Sequence, residues 1–216
     1  MRKLFFCGVA ATLLIAACDS INESAERPGA NSPAKTENTV AVPPKTPAMP
    51  AEAGAEIVSG ALGSKAAREL CFEIDTGDFP IWKPQTFAIE FEPFADSCFV
   101  TTHNPEYDDP PMESQIAIYR KDKKVLELPG LFNGVTFGCW VDGVGFQDLN
   151  NDGRIDVVVI GKCQAKMGVY NENMVYANDG KQLITNETAN AWISEMKTVK
   201  EVAAYARENP EMFFKQ

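Results

Sequence analysis

Phe146-Gln-Asp-Leu-Asn-Asn-Asp-Gly-Arg-Ile-Asp156 decides how this chain is read. It sets Asp148, Asn150, Asp152 and Asp156 at positions 1, 3, 5 and 9 of a loop whose sixth residue is Gly153. Side-chain oxygens at that spacing can converge on one hard cation, and the Arg154 carbonyl at position 7 can add a fifth oxygen. Glycine at position 6 permits the sharp turn. Three carboxylates so close repel one another unless a divalent ion neutralises them, and Ca²⁺ suits an all-oxygen set. The same residues also read as a metal-free Asn-Asp-Gly turn, its Asx side chains bonded to their own backbone.

The flanks choose the kind of loop. An EF-hand needs a helix on each side and a bidentate glutamate at position 12. Position 12 here is Val159, and Ile155 to Ile160 is β-branched apart from Asp156, which reads as a buried strand. Gly143-Val-Gly-Phe-Gln147 upstream reads as a second strand. The loop therefore caps a β-hairpin. In this setting the spacing resembles the calcium hairpins of FG-GAP and VCBS-type repeats.

Further strands follow by alternation. Thr86 to Glu92 places Phe87, Ile89 and Phe91 on one face. Gln115 to Tyr119 and Lys124 to Leu128 flank a charged turn, and Met174 to Ala177 and Lys181 to Ile184 flank Asn178-Asp179-Gly180. Cys71 to Asp75 reads as another short strand. The tail changes period. Thr198 and Glu201 form a capping box, with Val199, Val202, Ala203 and Ala206 on one helical face until Asn209-Pro210 stops the helix. A shorter helix is expected over Thr188 to Met196 with Trp192 turned inward. The loop motif does not recur, so the expected fold is one all-β unit, an antiparallel sandwich or propeller-like, with a short C-terminal helical tail.

The amino terminus speaks of export. Arg2 and Lys3 precede an apolar run from Leu4 to Ala17, too short to span a bilayer and typical of a signal peptide over residues 1–17. Ile15-Ala16-Ala17-Cys18 resembles a bacterial lipobox. That resemblance implies cleavage before Cys18 and acylation of its sulfur and new amino group, which anchors the protein in the cell envelope facing the periplasm. Asp19 is similar to an inner-membrane retention signal of enterobacterial lipoproteins, and the choice of membrane stays open. Residues 18–63 are rich in Pro, Ala, Glu, Ser and Thr and poor in large apolar residues, as expected of a disordered tether. Ala51 to Leu62 has some helical character, which Gly54, Gly60 and Gly63 oppose. The folded domain is expected over residues 64–216.

Of six cysteines, Cys7 leaves with the signal and Cys18 takes lipid. Cys71, Cys98, Cys139 and Cys163 remain in a disulfide-permissive compartment, with no Cys-x-x-Cys pair to suggest zinc. Three pairings are open. Cys139 and Cys163 bracket the calcium hairpin, and Cys71 and Cys98 bracket the β segment before it, so Cys71–Cys98 and Cys139–Cys163 are preferred. The net charge of −10 becomes −12 when Arg2 and Lys3 are removed with the signal. An acidic protein of this kind does not favour nucleic acid or anionic surfaces.

A wider resemblance covers Gly143 to Ala206. The hairpin loop, Val175-Tyr-Ala-Asn-Asp-Gly180 and Lys197-Thr-Val-Lys-Glu-Val202 together look like secreted bacterial FG-GAP-related proteins. Relatives of that kind include periplasmic lysozyme inhibitors and immunity lipoproteins that block peptidoglycan hydrolases, which implies a β-domain that binds a protein. Some such inhibitors use a Ser-Gly loop backed by tyrosine. Here Ser59-Gly60 lies at the tether edge without a nearby tyrosine, a departure from that pattern.

Catalytic arrangements are poorly supported. The single histidine, His103, could be drawn with Asp108 or Asp109 and with Ser97 or Ser114, but no spacing supports a triad and there is no Gly-x-Ser-x-Gly elbow. It reads instead as part of a solvated, proline-braced loop. Glu90 and Glu92 read as the wet face of a strand and not as a glycosidase pair. The expectation is a non-enzymatic, membrane-tethered, calcium-stabilised binding module with a protein or cell-wall partner. The alternative is an inhibitor or immunity protein against a peptidoglycan hydrolase, and an enzyme of unknown type ranks last.

Overall fold

The computed structural model describes residues 60–215. The signal segment, Cys18 and the tether as far as Ser59 lie outside the described residues. No helix among those described is long and apolar enough to cross a membrane.

The described chain enters the core sooner than Ser64. Ala61 is buried, Leu62 bridges Ile89, and the Gly63 N–H donates to the Ala88 carbonyl. Helix α1 follows over Lys65–Cys71, and the Ser64 hydroxyl caps it by accepting from the Ala67 N–H. This corrects the expected strand at Cys71 to Asp75. Alternating Phe72 and Ile74 imitate a strand, but Lys-Ala-Ala-Arg-Glu-Leu behind a serine cap are strong helix formers, and Cys71 is the helix's last residue.

The first sheet is a four-stranded antiparallel meander. Its strands are β1 (Phe87–Ile89), β2 (Ser97–Thr102), β3 (Gln115–Arg120) and β4 (Lys123–Glu127), in that order. The second contains β5 (Cys139–Gln147), β6 (Asp156–Ala165), β7 (Gly168–Asn171), β8 (Met174–Asn178) and β9 (Leu183–Thr185). Its order is β5-β6-β8-β9, and β7 pairs with the far half of β6. The expected hairpin is present, with Gln147 facing Asp156 and Cys139 facing Cys163.

The two sheets share a core. Phe146 from β5 meets Phe87 and Phe99 of the first sheet edge-on, with ring centroids 5.5 and 5.3 Å apart. Ile89, Ile116, Ile118, Val157, Val159 and Tyr176 complete its centre. The architecture is thus an antiparallel sandwich rather than blades around an axis.

A helical layer covers the outer face of the second sheet. It comprises α2 (Glu187–Asn190), α3 (Val199–Glu208) and α4 (Pro210–Phe214). Val158, Ile160 and Val175 pack there against Ile193, Val202, Ala203, Ala206 and Phe213. Strand β6 is therefore buried on both faces, which explains why Val157 to Ile160 lacks alternation. A Cβ at Gly145 would collide with Val199, so that glycine lets α3 approach β5.

The tail's first helix follows expectation: the capping box of Thr198 and Glu201 forms, and Asn209-Pro210 ends α3 at Glu208, with proline then opening the first turn of the further helix α4. One detail differs. Trp192 is 64% exposed and Ile193 turns inward instead. Helix α2 gives way to a 3₁₀ turn at Ala191–Ile193, and its tighter winding changes which residue faces the sheet.

Both disulfides pair as expected, Cys71–Cys98 and Cys139–Cys163, with Cα separations of 5.5 and 4.0 Å. The first ties α1 to β2. The second joins residues directly opposed across β5 and β6.

One buried polar atom is an exception. Among the described residues, the Tyr176 hydroxyl is the buried side-chain group without a hydrogen-bond partner, and burial pushes its phenol well above the usual range. Leaving a hydroxyl unsatisfied costs about 1–3 kcal/mol. Tyr176→Phe should therefore raise the urea midpoint, by about 1 kcal/mol in stability. A clear loss of stability would mean that the hydroxyl has a partner.

Candidate functional site

The turn between β5 and β6 winds around its own acidic side chains. The Asp148 carboxylate accepts from the Asp152 N–H at 3.2 Å and the Gly153 N–H at 2.9 Å. Asn150 Oδ1 accepts from the Asp152 N–H at 3.1 Å, and Asp152 Oδ1 from the Arg154 N–H at 2.9 Å. Asn151 and Gly153 hold positive φ of 59° and 84°, which these residue types tolerate best. Leu149, only 1% exposed, anchors the loop in the helical-side core.

Asp156 differs from the other three. It starts β6, is 1% exposed, and accepts from the Leu149 N–H at 3.0 Å and the Asn178 N–H at 2.9 Å. Burial pushes its carboxyl up to about 6, against the pull of those two N–H donors. The negative charges of Asp152 and Asp148 push it further in the same direction. A buried carboxylate facing two more acids is poorly stabilised by its protein surroundings alone.

Asp148, Asn150 and Asp152 thus sit on one turn with Asp156 at the head of β6, and Asn150 and Asp152 each form an Asx turn. The Arg154 guanidinium lies 3.5 Å from Asp152, and the Asn150 amide donates to the same carboxylate at 3.1 Å. Among the described residues, no three His, Cys, Asp or Glu side chains are drawn together as a metal group. The donor chemistry nonetheless fits a hard cation. All four side chains offer oxygen, and a carboxylate oxygen holding one N–H keeps a further lone pair.

Asn178 is the residue that the sequence did not single out. Its backbone N–H holds Asp156, and its Nδ2 donates to the Glu92 carbonyl at 2.8 Å and the Ile155 carbonyl at 3.1 Å. Its Oδ1 accepts from the Gly180 N–H at 2.9 Å. Read in sequence it is only the first residue of an Asn-Asp-Gly turn. In the fold it joins the acidic loop to the chain just after β1.

The other candidates are dispersed. His103 is buried, correcting the solvated loop expected for it. Its Nδ1 lies 2.8 Å from the Tyr107 carbonyl oxygen and 3.0 Å from that of Asn104, and Trp82 meets its ring edge-on at 5.9 Å. The Ser97 hydroxyl donates to the Ala95 carbonyl, and that of Ser114 to the Pro111 carbonyl. Glu90 and Glu92 are exposed. Compared with known proteins, the chain matches no family model, no curated protein and no solved structure.

Proposed function

We propose that the protein is a membrane-tethered, calcium-stabilised binding module of the bacterial periplasm, with a protein or cell-wall partner and no chemistry of its own. The carrying observation is Asp156, a carboxylate buried at the root of a hairpin loop that holds two further acids. Asp148, Asn150, Asp152 and Asp156 would hold Ca²⁺ with the Arg154 carbonyl, and the ion would offset charges that otherwise repel. The lipid anchor rests on the resemblance of Ile15 to Cys18 to a lipobox.

An inhibitor or immunity protein against a peptidoglycan hydrolase is the finer alternative. It draws support from Met167, Val169 and Tyr170, which stand 99%, 52% and 39% exposed on and beside β7. Exposed apolar residues grouped on one hairpin suit a protein partner.

Calcium titration of chelator-treated protein tests the proposal. Extracellular calcium modules bind at roughly 10⁻⁴ to 10⁻³ M, and an ion at 100 times its dissociation constant adds about 2.7 kcal/mol of stability. The melting temperature should rise with calcium in the native protein and stay fixed in Asp152→Ala. A native melting curve indifferent to calcium, with no metal found by mass spectrometry, removes the ion from the account.

A further inference from the structure

The outer face of the first sheet carries a hollow of about 220 Å³ that none of the roles above uses. Opposed pairs Val100 with Ala117, and Thr102 with Gln115, form its floor, and Tyr119 lies one pair further along beside Cys98. The segment from Thr76 to Trp82 stands over one side and contributes Phe79, whose side chain is 37% exposed. Lys124 and Glu127 of β4 close the other side.

The wall is held in place. The Trp82 N–H donates to the Thr101 carbonyl at 2.7 Å, and the His103 N–H donates to the Pro80 carbonyl at 3.2 Å. The Thr76 hydroxyl donates to the Phe79 carbonyl at 2.7 Å, and Cys71–Cys98 fastens the chain leading into the wall to β2. A hollow built this way needs little ordering when it is filled, which favours binding.

Three of its polar groups are unspent. The Thr102 hydroxyl, Gln115 amide and Tyr119 hydroxyl make no hydrogen bond to another described residue. Together they offer donors and acceptors around a small apolar floor. Lys124 and Glu127 are paired with each other at 2.8 Å, so the site presents no net charge to a ligand.

We propose that this hollow binds one ring of a neutral saccharide. A sugar ring has an apolar C–H face for Ala117 and Phe79, with Val100 buried beneath them, and an edge of hydroxyls for Gln115, Tyr119 and the little-exposed Thr102. A nucleotide or other charged ligand would find no free counter-charge. An extended peptide binds best along a sheet edge, where unpaired backbone groups await it. Here the backbones of β2 and β3 are already paired beneath the hollow. The volume is below the usual range for larger ligands, which fits a single ring. The proposal stands whether or not the acidic hairpin takes calcium.

Titration of the ¹⁵N-labelled full chain with chitotriose, cellotriose and the tripeptide Gly-Ala-Ser, followed by amide shifts, tests this. At least one trisaccharide should give saturable shifts confined to residues 76–82, 100–102, 115–119 and 124–127. Gln115→Ala and Tyr119→Phe should each weaken it about five- to tenfold, the worth of one neutral hydrogen bond. Gln115 is exposed and Tyr119→Phe removes one atom, so both variants should keep the native amide spectrum elsewhere. No saturation with either sugar, equal binding by the tripeptide, or unchanged affinity in both variants would overturn the proposal.

Discussion

Gly161→Ala is expected to cost about 3 kcal/mol or more, a large share of the roughly 5–15 kcal/mol that holds a domain of ordinary stability. Gly161 lies mid-way along β6, opposite Val141. A Cβ there would run into the Glu172 carbonyl oxygen and would stand 2.7 Å from the Phe132 ring. Neither neighbour is free to withdraw. The Glu172 N–H is bonded to the Gly161 carbonyl at 2.9 Å, and Phe132 is buried in the inter-sheet core. Gly143→Ala is the control, because its nearest neighbour would be Ile160 at 3.7 Å, an ordinary contact. Its cost should stay below about 1 kcal/mol. Urea denaturation of the two variants side by side decides the matter, and similar midpoints would show that β6 can shift at Gly161.

The second large effect concerns the cystines. They close loops with sequence separations of 27 and 24 residues. On the chain-entropy account each contributes roughly 3–4 kcal/mol by restricting the unfolded chain. Replacing both pairs with alanine would then remove about 7 kcal/mol, comparable to the whole stability of many domains. The single-pair variants should fold with lowered melting temperatures, and the variant lacking both should be largely unfolded at 37 °C. A fully cystine-free chain that melts near the native temperature would mean that packing alone holds the sandwich.

How far the fold could be read from sequence depended on where the information sat. The hairpins β3–β4, β5–β6 and β8–β9 announce themselves because turn chemistry and strand pattern lie within a few residues of each other. Strand β2 was missed because Phe99 to Thr102 are all buried, partly under α1 and the segment after it, so no alternation survives. Strand β7 has four residues and three exposed side chains, too little for a periodic signal. Helix α1 went unread, and Cys71 to Asp75, read as strand from Phe72 and Ile74, is the last residue of that helix and the turn that follows it.

The site was legible only in its local part. Spacing alone placed Asp148, Asn150, Asp152 and Asp156 on one turn. It could not reveal that Asp156 points into the core, because its partner Asn178 is 22 residues away along the chain. His103 looked solvated among prolines and acids, yet Trp82 and the Tyr107 carbonyl enclose it. The Tyr107 carbonyl is only four residues on, but the Trp82 ring that closes the site belongs to tertiary structure and leaves no nearby trace in sequence.

The strand order has a kinetic consequence. The first sheet runs β1 to β4 in chain order, the second sheet departs from chain order only at β7, and each cystine joins consecutive cysteines. Every pairing partner therefore becomes available soon after its mate, so little loop-closure entropy must be overcome before contacts form. A chain emerging amino-terminus first can finish its first meander and first cystine while the second is still being delivered. Sequential linkage of this kind lets an oxidant insert the native bonds in order of appearance. Helices α3 and α4 arrive last and seal the outer face of β6 once that strand is already paired.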